Sequence, residues 1–149
     1  MKKLNKKGFT LIELLAIIVI LAIIAVITVP IILNIIDDAR EGARKNSVVG
    51  YGKAVELNYT KYLYASATSS DSNPYVADSS EEDGSTVEVT IDGVTTINLI
   101  VDFSGDQVIC ESGVIDAGKV TLNSCQVNGT GTVYDYESGQ AEEHIDSTD

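Results

Sequence analysis

Glu13 is the one ionisable side chain between Phe9 and Ile36, in a stretch that is otherwise almost wholly aliphatic. A carboxylate at the centre of a bilayer costs about 3 kcal/mol, and less near its edge. A passive anchor has no use for one. Glu13 lies five residues after Gly8 and needs a cationic partner, which the apolar stretch does not contain. A free α-amino group could serve if the chain were cut just before Phe9. The amine of one chain could then meet Glu13 of another, pairing two charges that are each unfavourable alone. The residues thus point to a cleavage and to an assembly.

The other reactive side chains are few. Cys110 and Cys125 are the only cysteines. An even count in a segment expected outside the membrane reads as a disulfide, with two free buried thiols as the alternative. A bridge closing a loop of this length contributes roughly 3 kcal/mol on the chain-entropy argument. Val108 shares a face with Cys110, and Cys125 with Val127, so the bridge would fasten two neighbouring strands. The sole histidine, His144, falls in an acidic terminal stretch, which leaves a Ser-His-Asp or zinc constellation nothing to build from. No enzyme, metal site or cofactor is expected. The run from Asp78 through Glu81-Glu82-Asp83 could collect oxygen ligands, but its spacing is not that of an EF-hand, and a hydrated acidic loop is the preferred reading. From residue 62 to 149, 17 acids oppose a single base, Lys119, which argues against direct contact with nucleic acid.

Several elements must position these residues. Residues 9–36 form an apolar segment of 28 residues, about 42 Å long if helical, enough to cross a bilayer. The run is too long for an ordinary secretory signal, and no small-x-small cleavage site follows it; an uncleaved signal anchor remains the alternative. Lys2, Lys3, Lys6 and Lys7 precede it and place the N-terminus in the cytoplasm; Arg40, Arg44 and Lys45 on the far side oppose this with a sparser, later-entering charge. Residues 37–67 then read as an amphipathic stalk continuing the helix. Val48, Tyr51, Val55, Tyr59 and Tyr62 form its apolar stripe, Ala54, Leu57 and Leu63 lie nearby, and Lys53, Glu56, Asn58 and Lys61 take other faces. Gly42, Gly50 and Gly52 weaken it. Residues 68–85 are a solvated acidic, Ser-rich connection. Residues 86–137 carry strand signals: a hairpin about Asp92-Gly93, then strands at 107–111, 119–122, 125–127 and 132–136. These give an antiparallel sheet of four or so strands against the stalk, and residues 138–149 a loose acidic tail.

Lys6-Lys7-Gly8-Phe9-Thr10-Leu11-Ile12-Glu13-Leu14 resembles the leader and processing motif of type IV pilins and pseudopilins of type II secretion. The resemblance covers residues 1–44 well and the remainder only in general plan. It implies an α+β type IV pilin fold, with residues 1–8 removed by a membrane prepilin peptidase between Gly8 and Phe9, and the Phe9 amine N-methylated. It further implies that Phe9 and Glu13 of neighbouring subunits pair during assembly, and that Pro30 breaks the helix, as in many pilins. The expected partners are identical subunits in a helical filament, the peptidase, the inner-platform assembly machinery and, before assembly, membrane lipid. The precursor would be a single-pass protein of the cytoplasmic membrane, and the product an extracellular pilus serving adhesion, twitching motility or surface interaction. The aliphatic run followed by Asp37-Asp38-Ala39-Arg40 is loosely similar to pilins of Gram-positive bacteria. A major pilin is favoured because minor subunits often depart from the motif at Glu13. A minor or competence pilin, a pseudopilin, and an uncleaved signal-anchored surface binding protein are the alternatives.

Overall fold

The computed structural model describes residues 8–68, 73–79 and 84–144. Lys2, Lys3, Lys6 and Lys7 of the expected leader, residues 69–72 and 80–83 of the expected acidic connection and the last five residues lie outside the described residues. One helix, α1 (Leu11–Thr68), precedes seven strands: β1 (Val76–Ala77), β2 (Thr86–Ile91), β3 (Thr95–Ile100), β4 (Val108–Asp116), β5 (Lys119–Val127), β6 (Thr130–Glu137) and β7 (Gln140–Glu143). The fold is α+β and type IV pilin-like. The chain divides into two units, residues 1–41 and 42–149.

In the first unit every described residue as far as Arg40 is exposed. Among the described residues nothing else in that unit covers the helix, and an uncovered aliphatic surface of this size is typical of a membrane or assembly interface. It is long and apolar enough to cross a bilayer, with a mean hydropathy of 3.3 over its best 18-residue window. The helix runs through Pro30 without interruption, which corrects the expected break. Proline removes one backbone donor, but a chain in apolar surroundings gains nothing by exposing more of them, and the flanking turns stay paired. Two residues earlier, the Thr28 hydroxyl donates to the Ile24 carbonyl at 2.7 Å.

In the second unit the predicted stripe is the core. Val48, Tyr51, Val55 and Tyr59 are buried with Val87, Val89, Leu99, Ile115, Val120, Leu122, Tyr134 and Tyr136 of the sheet, and Tyr62 packs at the edge. Two polar residues assigned to outer faces turn inward. Asn58 is buried and donates to the Ala54 carbonyl at 2.8 Å, while Glu56 accepts a 2.7 Å hydrogen bond from the Tyr136 hydroxyl. Leu57 and Leu63, placed near the stripe by sequence, are instead 57% and 47% exposed. Gly52 is more than a weak point in the helix. A Cβ there would stand 2.5 Å from the Tyr136 ring, so its missing side chain lets helix and sheet approach.

The strand order is β1-β3-β2-β4-β5-β6-β7, antiparallel except where β2 pairs with β4. Seven strands replace the expected four or so, for identifiable reasons. Residues 119–122 and 125–127 belong to one strand, β5, and not two. Its inward set changes from Val120 and Leu122 to Cys125 and Val127 across Ser124, whose φ is +53°. A bulge there shifts the period of two by one residue, which reads as a gap in the sequence pattern. β7 occupies part of the expected tail and β1 part of the expected loop; both are short edge strands whose polar composition hides them. The hairpin loop is Asp92 to Val94, one residue longer than expected, because Ile91 pairs with Thr95; Asp92 and Gly93 both take positive φ. Cys110 and Cys125 stand directly opposite each other on β4 and β5 and are joined by a disulfide.

Candidate processing and assembly site

Residues 8–10 precede the first helical residue, so the Gly8–Phe9 peptide bond lies outside regular structure. A Cβ built at Gly8 meets nothing within 4 Å, and Phe9 is 82% exposed. Among the described residues nothing covers this bond.

Helix α1 begins with a capping box. Glu13 Oε2 accepts hydrogen bonds from the Thr10 backbone N–H at 2.9 Å and the Thr10 hydroxyl at 2.7 Å, and the Glu13 N–H donates to Thr10 Oγ1 at 3.4 Å. The arrangement pairs backbone amides that a helix start otherwise leaves without partners. It also directs the carboxylate back toward Gly8 and Phe9, with which Thr10 and Glu13 line one concavity. Gly8, Phe9 and Glu13 thus lie about one concavity of a single chain, whereas the expected pairing of Phe9 with Glu13 is between neighbouring subunits. Thr10 was not singled out, although a Thr-x-x-Glu spacing just before an apolar run was there to be read. Pro30 lies elsewhere, within the helix interior.

The remaining polar centres are in the second unit. His144 does not stand free in a tail: its Nδ1 is 2.7 Å from Asp135 Oδ2, and Asp135 Oδ1 accepts from the Ser124 N–H at 2.9 Å. This network ties β7 to the β5 bulge. Among the described residues no group of three or more His, Cys, Asp or Glu is placed to hold a metal ion.

Residues 3–29 match the family described as the prokaryotic N-terminal methylation motif, the leader signature of prepilins and pseudopilins. No curated protein and no solved structure matches the chain. The chain carries the signature of a type IV pilin-like or pseudopilin-like precursor, on a fold of the corresponding kind.

Proposed function

We propose that this chain is the precursor of a structural subunit, the major pilin, of an extracellular type IV pilus. The observation that carries the reading is Glu13, held at the start of an exposed aliphatic helix beside a Gly8–Phe9 bond within the methylation motif. A membrane prepilin peptidase cuts that bond and the new Phe9 amine is methylated. Before assembly, residues 9–36 sit in the cytoplasmic membrane with the N-terminus inside. The platform of the assembly machinery then draws subunits into a filament whose centre is made by these segments.

Transfer from lipid to a bundle of like helices keeps the aliphatic surface covered throughout. The two charges near the helix start favour the assembled state. The Glu13 carboxylate of one subunit and the Phe9 ammonium of the next neutralise each other where no water reaches. The acidic sheet units coat the outside, in a cell whose filaments cross one membrane. Adhesion, motility or surface contact are properties of the filament. Shearing filaments from the cell surface and measuring their composition tests this. The chain is expected as the dominant component, and its deletion to abolish the filaments. Trace amounts, with filaments persisting on deletion, would mean a minor subunit.

A further inference from the structure

Within residues 42–149, the face of α1 opposite the buried stripe is left uncovered by the described residues. Lys53, Leu57, Thr60 and Tyr64 follow one another at steps of three or four residues, all exposed, with Leu63 and Lys61 alongside. Leu57 and Tyr64 are 57% and 73% exposed, high values for large apolar side chains in a unit that otherwise buries its core. Lys53 has no ion pair among the described residues, and Lys61 only a 3.3 Å hydrogen bond to Asn58. Five of the six bases beyond Gly8 lie on α1, between Arg40 and Lys61.

The complement is at the other end of the sequence. Asp135 and Glu142 stand directly opposite each other on β6 and β7, and like charges so placed oppose pairing of the strands. Together with Glu137 and Glu143 they line a concavity of about 510 Å³. Within the chain, Lys119 reaches Glu137 at 2.6 Å and His144 reaches Asp135, while Glu142 and Glu143 have no ion pair among the described residues.

We infer that the outer face of α1 docks onto the β6–β7 hairpin of a second copy of this chain. Lys53 and Lys61 are set against Glu142 and Glu143, with Leu57 and Tyr64 excluding water around them. Charge complementarity selects this occupant: the surface is rich in acids, and its few cations are gathered on one helix. A contact between two different patches is heterologous, so it propagates from copy to copy and does not close as a dimer does. The inference rests on the filament reading and adds a contact between sheet units to the contact at Glu13.

The test uses the full chain as sole subunit, read as the ratio of sheared filament to membrane pool. Lys53→Glu with Lys61→Glu is expected to lower that ratio by roughly tenfold or more, since juxtaposed like charges oppose association. Adding Glu142→Lys and Glu143→Lys restores it to within about threefold, the coupling expected of residues in contact. Lys53→Gln with Lys61→Gln, which removes charge without new repulsion, gives an intermediate ratio. Cleavage before Phe9 is unchanged in all of them. Wild-type filament yield from the Lys→Glu variant, or a loss that the charge swap does not relieve, overturns the contact and leaves the filament reading standing. Loss of wild-type filaments on chelating divalent cations, with the lysine variants normal, would give the acidic hairpin to a metal ion and also overturn it. Absence of the wild-type chain from filaments removes the filament reading, and this contact with it.

Discussion

Residues 8–41 and 42–149 treat apolar surface in opposite ways. In the first, aliphatic side chains stand 40% to 83% exposed along a single helix, with Glu13 the only charge before Asp37. In the second, tyrosines and β-branched residues are sealed between a helix face and a mixed sheet, and a disulfide joins adjacent strands. Among the described residues the first region leaves its apolar surface uncovered, while the second buries its core within one chain. Substitutions in the first should therefore alter assembly at little cost to the fold. Those in the buried core of the second should alter stability and reach assembly only through it.

The largest effect belongs to Glu13. Glu13→Ala should leave cleavage before Phe9 intact and lower filament yield by well over tenfold, since removing one partner of a desolvated pair costs about 3–5 kcal/mol. Immunoblots of sheared and membrane fractions read both quantities. The thermal midpoint of residues 42–149, followed in the full chain in detergent micelles, should not move.

Replacing Cys110 and Cys125 by serine should do the reverse. Stability falls by about 3 kcal/mol, seen as a lower urea midpoint in micelles, while processing continues.

Two glycines in one helix sharpen the contrast further. Gly52→Ala should destabilise by roughly 1–3 kcal/mol, because its methyl group meets the face of the buried Tyr136 ring. Gly42→Ala, where a Cβ meets nothing within 4 Å, should stabilise by up to about 1 kcal/mol through helix propensity alone. Equal effects at the two positions would mean that the helix does not approach the sheet as closely as described.

A modest effect is also expected at the Tyr136–Glu56 hydrogen bond. Tyr136→Phe should cost about 1–2 kcal/mol. Burial, then the bond to Glu56, holds the Tyr136 phenol well above its ordinary range, and burial, then Asp92, raises that of Tyr59. Their neutral forms are favoured by the fold. The stabilisation is therefore complete below the ordinary tyrosine value near ~10 and is lost as pH rises through the elevated folded values. Wild type should lose stability above that point more steeply than Tyr136→Phe.

Much of this was legible in the residues, and the rest was hidden for physical reasons. The processing motif is contiguous and chemically costly, so Gly8, Phe9 and Glu13 stood out. The stripe from Val48 to Tyr59 kept helical spacing, and the cysteines kept a shared face with their neighbours. The bulge at Ser124 broke the alternation that identifies a strand, so β5 read as two pieces. β7, with its Gln-Ala-Glu-Glu sequence, has no apolar alternation to betray it; it is held by backbone pairing to β6 and by His144 on Asp135. Gly52 read as a defect because its role depends on a ring 84 residues away. Pro30 read as a break because the resemblance to pilins implied one, whereas the helix continues through it.

The most direct test of the account is the mass of the N-terminal fragment of the protein recovered from its native cell surface. A fragment beginning at N-methylated Phe9 is the predicted result, and it places the chain among processed filament precursors. A fragment beginning at Met1 would contradict it, leaving a membrane-anchored protein in which Glu13 serves only to cap its own helix.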